Sequence, residues 1–205
     1  MFISFEGCEG SGKTTLSSVL FQKMSMLYPT LLTKEPGGSE FNLAIKQILL
    51  TFYNQIDFQT EALLYAADRT EHLKKVILPA LEQKKIVICD RYFDSSLVYQ
   101  GYVRGLGYEF IQQINPLAVQ IIPDITFYLD LDPQIGLQRI KTQRTQQINS
   151  FDLQKLSFHQ KIREGYLQLV KQFPQRICVI DTQQPLTLIQ KKIENKIEKM
   201  LQIKL

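Results

Sequence analysis

Residues 5–15 read "FEGCEGSGKTT" and follow directly on the apolar run "MFIS". Gly7, Gly10 and Gly12 crowd together just ahead of Lys13, and one carboxylate, Glu9, sits among them. Packing alone gives no reason to strip side chains from a backbone at this density. A close-approaching anion does, because bare glycine backbone lets successive N–H groups curl around it. The stretch fits G-x-x-x-x-G-K-[ST], with Gly7, Gly12, Lys13 and Thr14 in the fixed places. Average residue frequencies give such a match by accident in roughly one chain of this length in a hundred. Here an apolar strand precedes it and the helical pattern "KTTLSSVLFQKM" follows, which is the context a phosphate-binding loop requires. Lys13 is expected to reach terminal phosphates and the Thr14 hydroxyl to ligate Mg²⁺.

Working outward, short apolar runs at 1–5, 30–34, 85–90, 125–131 and 176–181 are rich in Ile, Val, Leu and aromatic residues without strict alternation. That pattern predicts strands covered on both faces, hence a parallel sheet. Between them, helical spacing covers 13–27, 39–53, 60–83, 95–115, 133–147, 152–173 and 185–204. Strands alternating with helices predict an α/β fold in three layers, a five-stranded parallel sheet flanked by helices, of the P-loop nucleoside triphosphate hydrolase type. No repeat or long linker divides the 205 residues, which predicts one domain, 1–205.

Composition is that of an ordinary globular protein, 44% hydrophobic and 21% charged. A net charge of +4 suits small anions and gives no argument for nucleic acid. Three scattered cysteines point to a reducing compartment. With neither a leader pattern nor an apolar run of ~20 residues, a cytoplasmic protein is expected, with no membrane partner.

A second constellation, "CDRYFDSSLVYQG" (89–101), follows the strand "KIVI". Strand C-termini line the ligand crevice in such sheets, so Asp90 and Arg91 should emerge beside the loop. Asp90 can hold Mg²⁺ or its waters, and the Arg91 fork can bridge donor and acceptor phosphates. Ser96, Tyr99 and Gln100 share one helix face and read equally as base-and-sugar recognition or as exposed helix polarity. In "EALLYAADRTEHLKKVILPAL" (61–81), Tyr65 and Arg69 offer an aromatic platform with a cation beside it, or else core with a surface cap. His72 and His159 read as solvated surface. Residues 139–151, "RIKTQRTQQINSF", are polar and poor in apolar anchors, as an exposed connection or a mobile cover would be.

"FEGCEGSGKTT", "TKEPGG", "LLYAADRTEH", "DRYFDSSLVYQG", "YLDLDPQIGLQR" and "FHQKIREGYLQL" occur in this order over essentially the whole chain. Together they resemble the bacterial-type thymidylate kinases, which pass the γ-phosphoryl of ATP to dTMP. The resemblance implies that Gly7, Cys8, Glu9, Gly10, Ser11, Gly12, Lys13, Thr14 and Thr15 bind ATP, with Arg139. It places Glu9 at the acceptor sugar 3′-hydroxyl, Tyr65 stacked on thymine and Arg69 on a base carbonyl, with Lys34, Ser96 and Gln100 nearby. Tyr99 would press where a ribose 2′-hydroxyl would sit. Arg91 would hold the acceptor phosphate, with Thr14 and Asp90 on the metal.

The 139–151 segment takes the position of a short mobile lid over ATP. Gly10 and Ser11 stand where some members carry a loop arginine, so the resemblance assigns the catalytic cation to the lid, among Arg139, Lys141 and Arg144, with Arg144 preferred. The lid here reads "RTQQIN", and Lys34 stands where arginine is common. The resemblance also implies a homodimer through helices 39–53 and 60–83. Another P-loop nucleotide or deoxynucleoside kinase is the alternative. A GTP-binding module would need an Asn-Lys-x-Asp string, and none occurs.

Overall fold

The computed structural model describes residues 1–143 and 154–202. Its one sheet is fully parallel with five strands: β1 (Phe2–Gly7), β2 (Thr30–Lys34), β3 (Ile86–Asp90), β4 (Ile125–Asp130) and β5 (Ile177–Asp181). Their order is β2-β3-β1-β4-β5, so β1 and β3 are neighbours and end side by side.

Helices cover both faces. They are α1 (Lys13–Ser25), α2 (Glu40–Thr51), α3 (Phe58–His72), α4 (Leu78–Glu82), α5 (Phe93–Ser96), α6 (Tyr108–Gln113), α7 (Pro116–Gln120), α8 (Pro133–Gln143), α9 (Leu156–Gln172) and α10 (Leu186–Leu201). Strand residues alternate between two cores. Phe2, Val87, Cys89 and Tyr128 pack with Leu73, Leu97, Ile162 and Tyr166 on one face. Ile3, Phe5, Ile88 and Phe127 pack with Leu16, Leu20, Ile193 and Ile197 on the other. These are the expected three layers, with every predicted strand in place.

Local chemistry sets the helix boundaries. Ser39 caps α2 by accepting from Asn42 N, and Asp57 caps α3 through Gln59 N and Thr60 N. Helical spacing over 60–83 holds, but Leu73–Ile77 forms a widened turn between α3 and α4. Pro79 at the start of α4 explains it: proline lacks the N–H and crowds the carbonyl four residues back. The expected helix 95–115 is broken. A second widened turn, Leu97–Val103, gives way to Gly105 and Gly107 at φ 80 and 83, and α6 then starts afresh. Part of the expected helix 133–147 and most of the 139–151 lid segment, Arg144 included, lie outside the described residues.

One backbone approach positions the glycine loop. A Cβ on Gly136 in α8 would lie 2.6 Å from Glu9 O, and one on Gly10 would lie 2.4 Å from Gly136 O. Two glycines therefore let α8 and the loop touch main chain to main chain. Alanine at 136 would ordinarily help a helix by about 1 kcal/mol. Here we expect Gly136→Ala to destabilise the fold by ~1–3 kcal/mol in denaturant unfolding, and to weaken ATP binding more than stability. Unchanged ATP affinity by calorimetry would show that the contact does not set the loop.

Candidate active site

The loop after β1 turns because glycine allows it. Gly7 has φ 147, and a Cβ there would meet Leu129 O at 2.7 Å; Gly10 and Gly12 have φ 76 and 92. α1 begins at Lys13 with no side-chain cap, so its first N–H groups stay open to an anion. Lys13 folds back over the loop, its Nζ donating to Gly7 O at 3.0 Å, Cys8 O at 2.7 Å and Ser11 Oγ at 3.4 Å. Burial, and then the neighbouring Arg91 guanidinium, bring its ammonium down to about 8. Thr14 and Thr15 are exposed at the mouth.

The loop opens on a cavity of about 570 Å³. Glu9, Gly10, Gly12, Lys13, Thr14 and Thr15 line one end; Gly7, Cys8 and Ser11 lie behind them. The Cys8 side chain is buried, with its Sγ 4.0 Å from His159 O. The Thr14 hydroxyl donates to Asp90 Oδ2 at 2.6 Å, so the two expected metal residues are adjacent. Among the described residues no group of three or more His, Cys, Asp or Glu is arranged to hold a metal. A hydroxyl and one carboxylate nonetheless fit Mg²⁺, which keeps several waters and takes its other oxygens from phosphates.

Arg91 leaves the end of β3 at φ 68, left-handed backbone that a non-glycine residue adopts only under constraint. The bend turns its guanidinium across to the loop. Nη1 donates to Gly7 O at 3.1 Å and Ser95 Oγ at 3.3 Å, and Nη2 to Glu9 Oε1 at 2.8 Å. Tyr99 lies under the fork at 5.2 Å, and its hydroxyl donates to both Glu9 oxygens at 2.8 and 3.0 Å. Burial would raise the Glu9 carboxyl. Arg91, His159, Lys13 and Tyr99 outweigh it and hold Glu9 well below the usual carboxylate range.

The same cavity is lined by Lys34, Glu35, Lys46, Tyr65, Arg69, Ser96 and Gln100, so with Glu9, Arg91 and Tyr99 every residue expected at the acceptor lines it. Arg69 is no surface cap: it is 2% exposed, its Nε donating to Glu35 Oε2 at 2.8 Å and its Nη1 to Asn115 Oδ1 at 2.9 Å. The Ser96 hydroxyl is buried in this wall without a hydrogen-bond partner. Lys46, which the sequence reading passed over, adds a cation whose ammonium is lowered by burial and then by Lys34. Arg139 also lines the cavity and donates from Nη2 to Thr182 O at 2.9 Å, just past β5.

Both histidines depart from the surface expectation, for the same reason. His72 is fully buried: Nδ1 faces Glu35 Oε1 at 2.9 Å and Nε2 faces Thr33 Oγ1 at 2.6 Å. His159 is 1% exposed with Nδ1 3.5 Å from Glu9 Oε2. Each is covered by a carboxylate from a distant part of the chain, which residue spacing does not reveal.

Glu6 was likewise missed. Its carboxylate is fully buried and accepts from Tyr92 N at 2.7 Å, Ser95 Oγ at 2.6 Å and the Tyr166 hydroxyl at 2.7 Å. Ser95 and Tyr166 are also the hydroxyls beneath Arg91 Nη1, so Glu6 underpins the bent turn from below.

A model of the family described as thymidylate kinase matches residues 5–193. The chain belongs to the thymidylate kinase family. Among its relatives, the thymidylate kinase of Aster yellows witches'-broom phytoplasma is 61% identical over the full length of both chains. That of Geobacillus thermodenitrificans is 49% identical over 90% of this chain and 84% of its own. A crystal structure of thymidylate kinase from Ehrlichia chaffeensis superposes with a TM-score of 0.79 at 34% identity, covering 96% of this chain and 98% of that one. Thymidylate kinase membership agrees with the expected three-layer P-loop architecture. No described helix is long and apolar enough to cross a membrane.

Burial, and then Asp94, push the Glu6 carboxyl from 4.5 up to about 7. Between those values the native state keeps a proton that the unfolded chain releases, so this group's contribution to stability declines as pH rises through the window. Glu6→Gln removes the titration. From pH 5 to pH 8 we expect the variant to gain roughly 2 kcal/mol on wild type in denaturant unfolding. A difference independent of pH would place Glu6's titration outside this range.

Proposed function

We propose that the protein transfers the γ-phosphoryl group of ATP to dTMP, giving dTDP. The observation that carries this reading is the meeting of Arg91 with the glycine loop: one cavity holds a phosphate cradle at one end, a base-sized wall at the other, and a guanidinium between.

The roles follow from position. The loop N–H groups and Lys13 bind the ATP phosphates, with Arg139 at the rim near Thr182. Thr14 and Asp90 would hold Mg²⁺, which would offset the charge of the phosphates. Two of Arg91's five N–H groups, Nε and one on Nη2, have no protein acceptor among the described residues and face the acceptor phosphate. Tyr65 stacks on the base, while Arg69, Ser96 and Gln100 present polar groups to its edge. Glu9 and Tyr99 meet the acceptor sugar. Arg144, proposed from the family pattern as the lid cation, lies outside the described residues. The acceptor is already an anionic phosphate, so the chain need only position it and neutralise charge, with no strong base.

Arg91→Ala should lower kcat by ~10³-fold while leaving the Mg²⁺–ATP affinity within a few fold; a kcat equal to wild type removes Arg91 from the chemistry. Turnover across dTMP, dUMP, UMP, dCMP and thymidine separates this reading from another kinase on the same scaffold, and dTMP should lead. Equal rates with dUMP and UMP would contradict the Tyr99 role.

The same reading includes a homodimer. Phe41, Leu43 and Ile48 on α2, Phe52 just past its end, and Phe58 and Leu63 on α3 are all exposed apolar side chains, and the two helices pack together. Light scattering should give twice the chain mass, and Ile48→Glu with Phe52→Glu should halve it. A wild-type monomer at micromolar concentration would withdraw the dimer.

A further inference from the structure

The wall that faces the acceptor base contains one side chain whose chemistry depends on which way round it sits. Gln100 belongs to the widened turn Leu97–Val103, is 2% exposed and lines the cavity. Its amide can offer either a carbonyl or an NH₂ group to a base, and the choice is made from behind. Nε2 donates to Glu61 Oε1 at 2.9 Å. Glu61, in the first turn of α3, is 3% exposed and lies outside the cavity lining.

Arg104 holds that carboxylate in turn, its Nη2 donating to Oε2 at 3.0 Å and its Nε to Oε1 at 3.4 Å. The Arg104 guanidinium is itself seated over the Phe58 ring at 4.4 Å and bonded to Asn54 Oδ1 at 3.2 Å.

A carboxylate flanked by arginine has only acceptors to present, so only the NH₂ end of Gln100 can face it. Turning the amide over would set a carbonyl oxygen against a buried carboxylate oxygen, with neither able to donate to the other. Gln100 Oε1 therefore points the other way, and no described residue donates to it. On the same wall Arg69 is fixed by Glu35 and Asn115 as a donor. An acceptor beside a donor matches the N3–H and O4 edge of thymine or uracil. Cytosine inverts both, with a bare N3 and an N4 amino group.

Resting on the dTMP kinase reading, we infer that Glu61 is a specificity-determining positioning residue, which locks the Gln100 carbonyl toward the base and thereby rejects cytosine nucleotides. Glu61 touches no substrate and acts through Gln100.

Glu61→Gln tests this, because a glutamine at 61 can present either end and releases the Gln100 amide to turn. The readout is the ratio of kcat/KM for dTMP to kcat/KM for dCMP, with a thermal melt as the check on folding. The ratio should fall at least ~10-fold, through loss with dTMP and gain with dCMP. A purely structural role would lower both substrates by one factor and leave the ratio at its wild-type value, which overturns the inference. Should Glu61→Gln not fold, Glu61→Asp keeps the charge beside Arg104 and shortens the reach to Gln100. Its ratio should also fall, and a wild-type ratio overturns the inference equally. Wild-type protein that does not phosphorylate dTMP withdraws the activity itself, whereas an unchanged ratio in a variant active on dTMP withdraws only the Glu61 assignment.

Discussion

A half-buried guanidinium bridging two adjacent strand ends is the interaction on which the rest of the site depends. Arg91 closes the gap between β3 and the loop after β1, and it does so from left-handed backbone at φ 68. For an arginine that conformation costs on the order of 1–3 kcal/mol and persists only when its surroundings over-determine it. Here they do. Glu9 pairs with the fork from above, while Ser95 and Tyr166, both hydrogen-bonded to Glu6, hold it from below. The fork's orientation is thus decided before any phosphate arrives, as electrostatic catalysis requires.

The same device recurs around the cavity. Glu35 orients Arg69, Glu61 orients Gln100 and Arg104, and Glu9 orients Arg91. A cation buried alone would be expensive and would relax toward solvent. Arg69, Gln100 and Arg91 therefore each have an acid behind them, and each of these acids accepts a second hydrogen bond. His72 supplies that second contact to Glu35, as Arg104 does to Glu61. This is why an anion-binding site contains so many buried carboxylates.

The strands were legible because a strand buried on both faces must be a continuous apolar run, and "MFISF", "KIVICD" and "ITFYLDL" are such runs. The glycine loop was legible because its spacing is set by one phosphate-sized object. The acceptor wall was named only through family resemblance: Tyr65, Arg69, Ser96 and Gln100 carry no local signal that separates them from core or surface. What sequence could not show was pairing at long range. His159 meets Glu9 from 150 residues away and Glu6 meets Tyr166 across 160, so the first was read as solvated and the second was not singled out. The broken helix after Ser96 was missed for a different reason. "SSLVYQG" has helical spacing, and the widened turn that carries Tyr99 and Gln100 keeps it; only Gly105 and Gly107 mark the stop.

The charges that line the cavity suit it to phosphates. Among the described residues six cations line the cavity, Lys13, Lys34, Lys46, Arg69, Arg91 and Arg139, against three carboxylates, Glu9, Glu35 and Asp90. Burial first, and then Arg91, lower the Lys13 ammonium, and burial and then Lys34 lower that of Lys46, so part of each shift is repulsion between cations. Phosphate oxygens placed between them would turn each repelling pair into a bridged one and favour the charged form of Lys13. On the proposed roles that gain would be greatest where phosphate charge is most concentrated, at the junction of donor and acceptor assigned to Arg91. On that proposal binding energy and rate enhancement would share one source, a cluster of cations held in place by neighbouring acids and joined by a shared anion.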